Sequence, residues 1–458
     1  MKGKLPPRLV WNRGENPGQA PETLVYHETA RLTVNPVTES QAYFDAACAN
    51  PVNMESDVNL WFCGDNYAFL EMLCAVENPQ LDLIYIDPPY MTDTDFTSTI
   101  SIGGYAKAQH INREAFRDRW PGGLDAYLDM LYPRLQLMHK TLARKGSILV
   151  HVDWHTSHYV RVLLDEVFGA ENFVNEIAWC FGGGSSSHRY FHRKHDLIFW
   201  YAKSNEYTYN PQYRPYTKGT LQRGLTPVKG ERYRLNEEGA LMQDWWTDIN
   251  KILSPTAREN LKYPTQKPRE LLRRLIAAIS KPGDKVADFF AGSGTLGEVC
   301  DELGRSWIMC DSSKLALQTS LYRLISAGTP PLAIAGTSHL PADNQTGILL
   351  LKKPEIRFEH GEEMLLAIGI DYFRPAALEK DIQAAKSGDY IEFWEIDPDY
   401  DGRCFNSCYQ VIRPRQRFRE PIPMEVGVKL IPKAGRLMAV KVWDVFANQT
   451  LAMVKLPD

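Results

Sequence analysis

A chain of 458 residues is long enough for two or three domains with substantial cores. With 44% apolar and 24% charged residues its composition is that of a soluble globular protein, and no apolar run approaches a membrane span, which excludes an integral membrane protein built of helices. The net charge of −4 hides an asymmetry: Ser185 to Leu275 carries 17 Lys+Arg against 9 Asp+Glu, or +8, leaving about −12 elsewhere and suggesting one basic face for a polyanion.

Residues 1–55, rich in Pro, Asn and polar residues, read as an extended arm wrapped on the domain, with one short helical stretch near Gln41 to Ala47. The amino terminus lacks the apolar core of a signal peptide, and eight cysteines without paired close spacings fit reduced thiols, so a cytoplasmic protein is expected. Cys404 and Cys408 are the nearest pair, and no second pair completes a zinc site; no metal is expected.

A first half-sheet is predicted over 56–204. Asn59–Cys63 reads as a strand, Gly64-Asp65-Asn66 as a turn, and Tyr67–Val76 as a short helix. Leu83–Ile86 is short and β-branched enough to be a buried strand, and Pro88 and Pro89 stop it by removing ladder donors. Asp87 and Tyr90 are thereby carried at the carboxyl end of a strand, where open α/β sheets place their ligands. The acid and the Pro88 carbonyl can accept both protons of an exocyclic amine, and the ring can stack on a planar base.

Met91–Trp120 shows little apolar periodicity and reads as a loop or lid. Leu124–Leu142 has helical spacing, Ser147–Val152 is a strand, and His158–Phe168 is another helix. Phe173–Cys180 and Asp196–Tyr201 read as strands around a Gly/Ser-rich loop. In that loop His188, His192 and His195 invite a metal, yet Arg189, Arg193 and Lys194 among them favour phosphate contact. Pattern fades over 205–258, as in a compact inserted module, where Trp245 and Trp246 could stack on bases or pack.

A second half is predicted over 259–328. Pro268–Ile279 is an amphipathic helix, Lys285–Phe290 a strand, and Ala291-Gly-Ser-Gly-Thr295 a turn into a helix ending near Leu303. Gly292 and Gly294 let a ligand approach the backbone, and the helix start favours a carboxylate. Trp307–Cys310 is a strand ending in Asp311, where a carboxylate can take both ribose hydroxyls, and Ser313–Ile325 is a helix. Strand–helix alternation predicts a mostly parallel sheet with right-handed crossovers. Short strands dominate 345–458. They could form an accessory recognition domain or a surface for a dimer mate or a defence partner. Arg413, Arg415, Arg417 and Arg419 alternate along an extended strand that could meet a DNA backbone or form a solvated edge.

Asp-Pro-Pro-Tyr at 87–90 and Asp-Phe-Phe-Ala-Gly-Ser-Gly-Thr at 288–295 resemble the two signature motifs of the amino-group DNA methyltransferases. Tyr263-Pro-Thr-Gln-Lys-Pro268 lies just upstream of the second, as in the permuted (β-type) subgroup, and the likeness spans roughly Leu60 to Ile325. The resemblance implies a Rossmann-like α/β methyltransferase sheet with helices on both faces, an inserted recognition module, and S-adenosylmethionine as cofactor. It places Asp87, Pro88, Pro89 and Tyr90 around the target base. Asp288, Phe290, Ala291, Gly292, Ser293, Gly294 and Thr295 would line the methionine end, with Thr265, Gln266 and Lys267 closing over it. Asp311 would take the ribose and Asp65 the adenine of the cofactor. His188, Arg189, Arg193 and Lys194 would meet DNA. Two departures stand out: Met91-Thr92 follow the tyrosine where an asparagine is common, and Tyr201–Tyr263 is short for a target-recognition domain.

The expected reaction is direct methyl transfer to N6 of an adenine flipped out of double-stranded DNA. Cytosine-N4 methylation needs the same acceptors; RNA or protein methylation is a weaker rival, and an idle DNA-binding subunit of a restriction or defence complex is the rival from another class. No Pro-Cys dipeptide occurs, which argues against the covalent thiolate route to ring carbons.

Overall fold

The computed structural model describes residues 27–32, 59–75, 80–102, 109–184, 187–224, 235–254, 257–336, 347–358, 364–376, 386–414, 421–431, 433 and 435–456. The helical stretch expected at Gln41–Ala47 lies outside the described residues. In chain order the first half runs β1 (His27–Leu32), β2 (Asn59–Cys63), α1 (Asn66–Ala75), β3 (Leu81–Ile86), β4 (Thr94–Ile102), β5 (Gln109–Asp118) and α2 (Gly123–Thr141). It continues through β6 (Leu142–Val152), α3 (Ser157–Phe168), β7 (Phe173–Cys180) and β8 (His195–Ala202). A sparse stretch holds β9 (Tyr213–Arg214), α4 (Lys218–Gly224), β10 (Ala240–Leu241) and β11 (Trp245–Trp246). The second half is α5 (Arg269–Ile279), β12 (Lys285–Asp288), α6 (Thr295–Leu303), β13 (Ser306–Asp311), α7 (Lys314–Ala327) and β14 (Leu332–Gly336).

These strands make one sheet in the order β11-β7-β8-β6-β3-β12-β13-β2-β14-β1, closed at its far edge by Phe405–Ser407. From β6 to β14 all neighbours are parallel, and the antiparallel pair β7 and β8 flanks them. Alternation along each strand feeds two cores. Leu83, Tyr85, Val286, Trp307 and Met309 point to the layer of α5, α6 and α7. Ile84, Ile86, Ala287 and Cys310 point to the layer of α1, α2 and α3. Both faces are covered, as a parallel sheet requires. The α/β architecture expected from the sequence is therefore the one observed, and β12 lies beside β3 although about 200 residues of chain separate them.

The loop or lid expected over Met91–Trp120 is instead largely the antiparallel hairpin β4–β5, paired from Thr94↔Asp118 to Ile102↔Gln109. Its pattern is two-residue alternation, and its apolar positions find their core far away in sequence. Ile102 and Ile111 are buried among residues of the carboxyl-terminal region.

That region adds β15 (Ile348–Leu351), β16 (Glu355–Phe358), β17 (Met364–Arg374), β18 (Ile391–Asp397), β19 (Phe405–Ser407), β20 (Tyr409–Ile412), β21 (Glu425–Leu430), β22 (Leu437–Asp444) and β23 (Gln449–Lys455). Strands β15, β16 and β21 surround β17, while β20-β18-β22-β23 form a second sheet; a shared core lies between them. Phe393 and Trp443 from this region pack into the α5–α7 layer, so α7 is sandwiched between two sets of strands. Arg413, the first of the alternating arginines, is buried and donates to the carbonyls of Ile391 and Gly388, which makes it a structural residue rather than a DNA contact. Arg415, Arg417 and Arg419 lie outside the described residues.

Candidate active site

Parallel strands β3 and β12 end side by side, so the turn after each faces the same crevice at the carboxyl edge of the sheet. The turn after β12 is shaped by Gly292 and Gly294, both at positive φ (+49° and +69°). A Cβ on Gly294 would meet Ser320 Oγ of α7 at 2.5 Å, so only glycine allows this approach. Arg323, buried on α7, donates to the Ser293 carbonyl at 2.8 Å and pairs with Glu298 at 2.6 Å, fixing the turn from behind. Ser293 and Thr295 hydroxyls lie 3.2 Å apart at the start of α6.

Three carboxylates face the space above this turn. Asp288 is buried and accepts from Phe290 N at 2.9 Å; burial pushes its carboxyl well above the ordinary range. Asp311 accepts from Gly292 N and Ser313 N, each at 2.9 Å, tying the glycine turn to α7, and burial raises it as well. Asp65 caps α1 through Tyr67 N and Ala68 N and pairs with Arg134 at 2.8 Å. A cavity of about 780 Å³ opens here, lined by Asp65, Asp311 and Phe290 at one end and by Asp87, Pro88 and Tyr90 at the other. Asp288, Ala291, Ser293 and Thr295 line a narrow recess next to it. The donor set fits a nucleoside with a cationic amino-acid tail: carboxylates suit ribose hydroxyls and an ammonium, and the volume is that of a small-ligand site.

At the Asp87 end of the cavity the Tyr90 hydroxyl donates to Asp87 Oδ1, and Lys267 Nζ pairs with Asp87 Oδ2. Burial, then the Asp87 charge, pushes the Tyr90 phenol well above its ordinary value, so it stays protonated and remains a donor. Beneath it His151 is fully buried, with Nδ1 2.9 Å from the Tyr85 hydroxyl and Nε2 3.4 Å from Asp196. Burial first, and Lys267 next, lower the His151 pKa, so the ring is neutral. Lys267, expected to close over the methionine end, lines both the cavity and the recess, and its ammonium also pairs with Asp87. Gln266 lines the recess as well, and its amide accepts from Leu261 N and donates to the Glu259 carbonyl, bracing its own loop. Thr265, at φ +58°, lines both the cavity and the recess.

Asp118, at the end of β5, was not singled out by sequence. Only 1% exposed, it accepts from the backbone N–H of Tyr90, Met91 and Thr92 at 3.2, 2.9 and 2.8 Å, from the Thr92 hydroxyl and from the Trp120 indole. It holds a stretch in which Met91 and Asp93 sit at φ +62° and +55°. The signal that could have found it is the alternation of β4 and β5, which puts Asp118 opposite Thr94. His188, Arg189, Arg193 and Lys194 are on the β7–β8 loop rather than in the cavity. Trp246 is buried on β11, while Trp245 is 54% exposed. Among the described residues no His, Cys, Asp and Glu group is placed to hold a metal, and no helix is long and apolar enough to cross a membrane.

A parallel sheet with a glycine turn at one strand end and an acid–Pro–Pro–Tyr turn at the next defines a methyltransferase that acts on an amino group. The chain belongs to the N6/N4 DNA methylase family, whose model matches residues 81–321, more than half of it. The methyl donor of this family is S-adenosylmethionine. The chain is 26% identical over 363 residues to the type II methyltransferase M.EcaI of Enterobacter cloacae, covering 66% of this chain and 76% of that one. It is 25% identical over 277 residues to the DNA adenine methyltransferase YhdJ of Escherichia coli, covering 60% and 85%. Among solved structures, the cytosine-N4-specific PvuII DNA methyltransferase is similar at 17% identity and a TM-score of 0.39, covering 59% of this chain and 90% of that one.

Proposed function

We propose that this protein moves a methyl group from S-adenosylmethionine to the exocyclic N6 of an adenine flipped out of double-stranded DNA. The observation that carries the reading is the turn at Asp87–Tyr90: a carboxylate, an adjoining proline carbonyl and a tyrosine ring share one cavity with Asp311 and the glycine turn. An aromatic amine is a poor nucleophile because its lone pair is conjugated with the ring. Accepting both N–H bonds, at Asp87 and at the Pro88 carbonyl, favours a pyramidal nitrogen with its lone pair aimed at the methyl. The N–C bond forms as the C–S bond breaks, a neutral thioether leaves, and the amine proton passes to Asp87 and on to water. Lys267 and Tyr90 compete for the same carboxylate, so the entering amine takes over contacts that they make in its place. The acid at position 87 and the adenine named for YhdJ favour adenine over cytosine.

Transfer of labelled methyl to unmodified DNA, followed by nucleoside analysis, tests the reading. Methylated adenine is expected; methylated cytosine would keep the mechanism and replace the base, and no transfer to DNA would overturn both. Asp87→Ala is expected to bind S-adenosylmethionine as the parent does and to transfer at least ~100-fold more slowly. Unchanged turnover in that variant would remove Asp87 from the reaction.

A further inference from the structure

The β7–β8 loop carries an arrangement that methyl transfer itself does not require. Strand β6 runs parallel to β3 and antiparallel to β8, so this loop leaves the sheet at the same edge as Asp87. Strand β8 is two places from β3, which sets the base of the loop roughly 10 Å from the catalytic turn. On that edge the Arg193 guanidinium lies 3.9 Å from the Trp154 ring centre and 5.0 Å from that of Tyr190. Trp154 in turn lies against His155, with ring centres 3.7 Å apart and planes tilted by 33°. Lys194 Nζ donates to the Gly184 carbonyl at 3.1 Å, closing the base of the loop on itself. The result is a footing of interleaved rings and a cation.

From this footing Phe191 projects with 99% of its surface exposed. A solitary phenylalanine in water has nothing to gain from its own chain. It stands between Arg189 and Arg193 in a loop that also carries His188 and His192, a charge pattern complementary to a polyanion. Cations of this kind take phosphates, whereas an apolar ring among them suits the gap between stacked bases. A flipped nucleotide leaves such a gap and an orphaned partner base, and filling it opposes reclosure of the duplex.

We propose that Phe191 is a wedge that enters the duplex where the target nucleotide leaves, with the Trp154–Arg193–Tyr190 stack as its footing and the flanking cations on the phosphates. The inference rests on the reading that duplex DNA is the substrate, and it assigns the opening of the base pair to residues outside the catalytic cavity. A wedge matters only where a base pair must be opened, and that dependence separates it from a general DNA contact.

The site is first mapped by locating methylated bases in DNA treated with the wild-type protein. Phe191→Ala and Phe191→Leu are then assayed on two duplexes containing that site, one fully paired and one with a mismatch opposite the target. For Phe191→Ala, transfer to the paired duplex is expected to fall about 10-fold or more, with the mismatched duplex methylated within about twofold of wild type. Phe191→Leu, still apolar, should recover most of the loss. Equal losses on both duplexes would overturn the wedge in favour of a plain binding contact, and no loss on either would remove Phe191 altogether. Wild-type protein inert on every DNA would instead overturn the reading on which the wedge rests.

Discussion

Asp118 gathers five hydrogen bonds from residues 90–92 and Trp120 while lying at the end of another strand pair. A buried carboxylate with this many donors is fixed in one orientation. Its work is positional: it orients the backbone that carries Tyr90 and forces Met91 and Asp93 into the left-handed region. Replacing it with Ala frees three N–H groups at the rim of the target pocket. We expect Asp118→Ala to keep S-adenosylmethionine affinity within about twofold and to lose roughly 10- to 100-fold in kcat, the scale of a small misplacement of reacting groups. Amide hydrogen exchange at Tyr90–Thr92 should quicken in the same variant. Protection and turnover both unchanged would show that the clamp is not needed. Asp87, Tyr90 and Gly292–Gly294 were legible in the sequence because their chemistry or their backbone geometry dictates the residue type. Asp118 was not, because an aspartate becomes a clamp only through the pairing that brings it to residue 90. The same holds for His151 and Asp196, an ordinary strand histidine and aspartate until the sheet sets them 3.4 Å apart beneath Tyr90.

At the scale of elements, α6 is pinned to the sheet by Asp301. Its carboxylate accepts from Asn59 Nδ2 of β2 at 3.1 Å and from the Trp307 indole of β13 at 2.8 Å, and the Thr329 hydroxyl donates to its other oxygen. Burial outweighs these donors and pushes its pKa up to about 7. The folded protein therefore holds this proton more tightly than the unfolded chain does. Stability from this group is fully present below about pH 4, falls as pH rises toward 7, and is level above that. Asp301→Asn keeps an acceptor for Asn59 and Trp307 and removes the titration. The variant should gain roughly 1–3 kcal/mol relative to wild type at pH 8 and nothing at pH 4, read from denaturant melts at the two values. An equal difference at both would sink the titration and leave only packing. The helices and parallel strands around Asp301 were readable from apolar spacing because each buries its own periodic face. Hairpin β4–β5 was misread as a loop because its buried positions, Ile102 and Ile111, answer to a core formed more than 250 residues later. The alternation is present along both strands, yet nothing local shows what covers the apolar face.

For the whole molecule, the carboxyl-terminal strands are joined to the catalytic sheet in several places at once. Phe393 and Trp443 complete the core over α7. Gln318 on α7 donates to the Asp444 carbonyl at 2.7 Å, and Tyr322 donates to the Arg413 carbonyl at 2.7 Å. Hairpin β4–β5 reaches the same region through Ile102, Ile111 and Arg113, whose guanidinium donates to the Val445 carbonyl at 3.3 Å. Phe446, in the turn between β22 and β23, lines the cavity beside Ser313, Lys314 and Leu315. Removing these strands would uncover the apolar outer face of α7 and deprive the hairpin that holds Asp118 of its core. Each large apolar side chain so exposed forfeits roughly 1.5–3 kcal/mol, and a handful of them exceeds the whole stability of an ordinary domain. A chain ending at residue 346 should therefore aggregate or melt without cooperativity and fail to bind S-adenosylmethionine, whereas the full chain should unfold in one transition monitored by circular dichroism. A truncated protein that retained cofactor affinity and a sharp melt would show instead that the strands are an independent attachment. Their contacts with α7 and with the hairpin would then add little to the catalytic sheet.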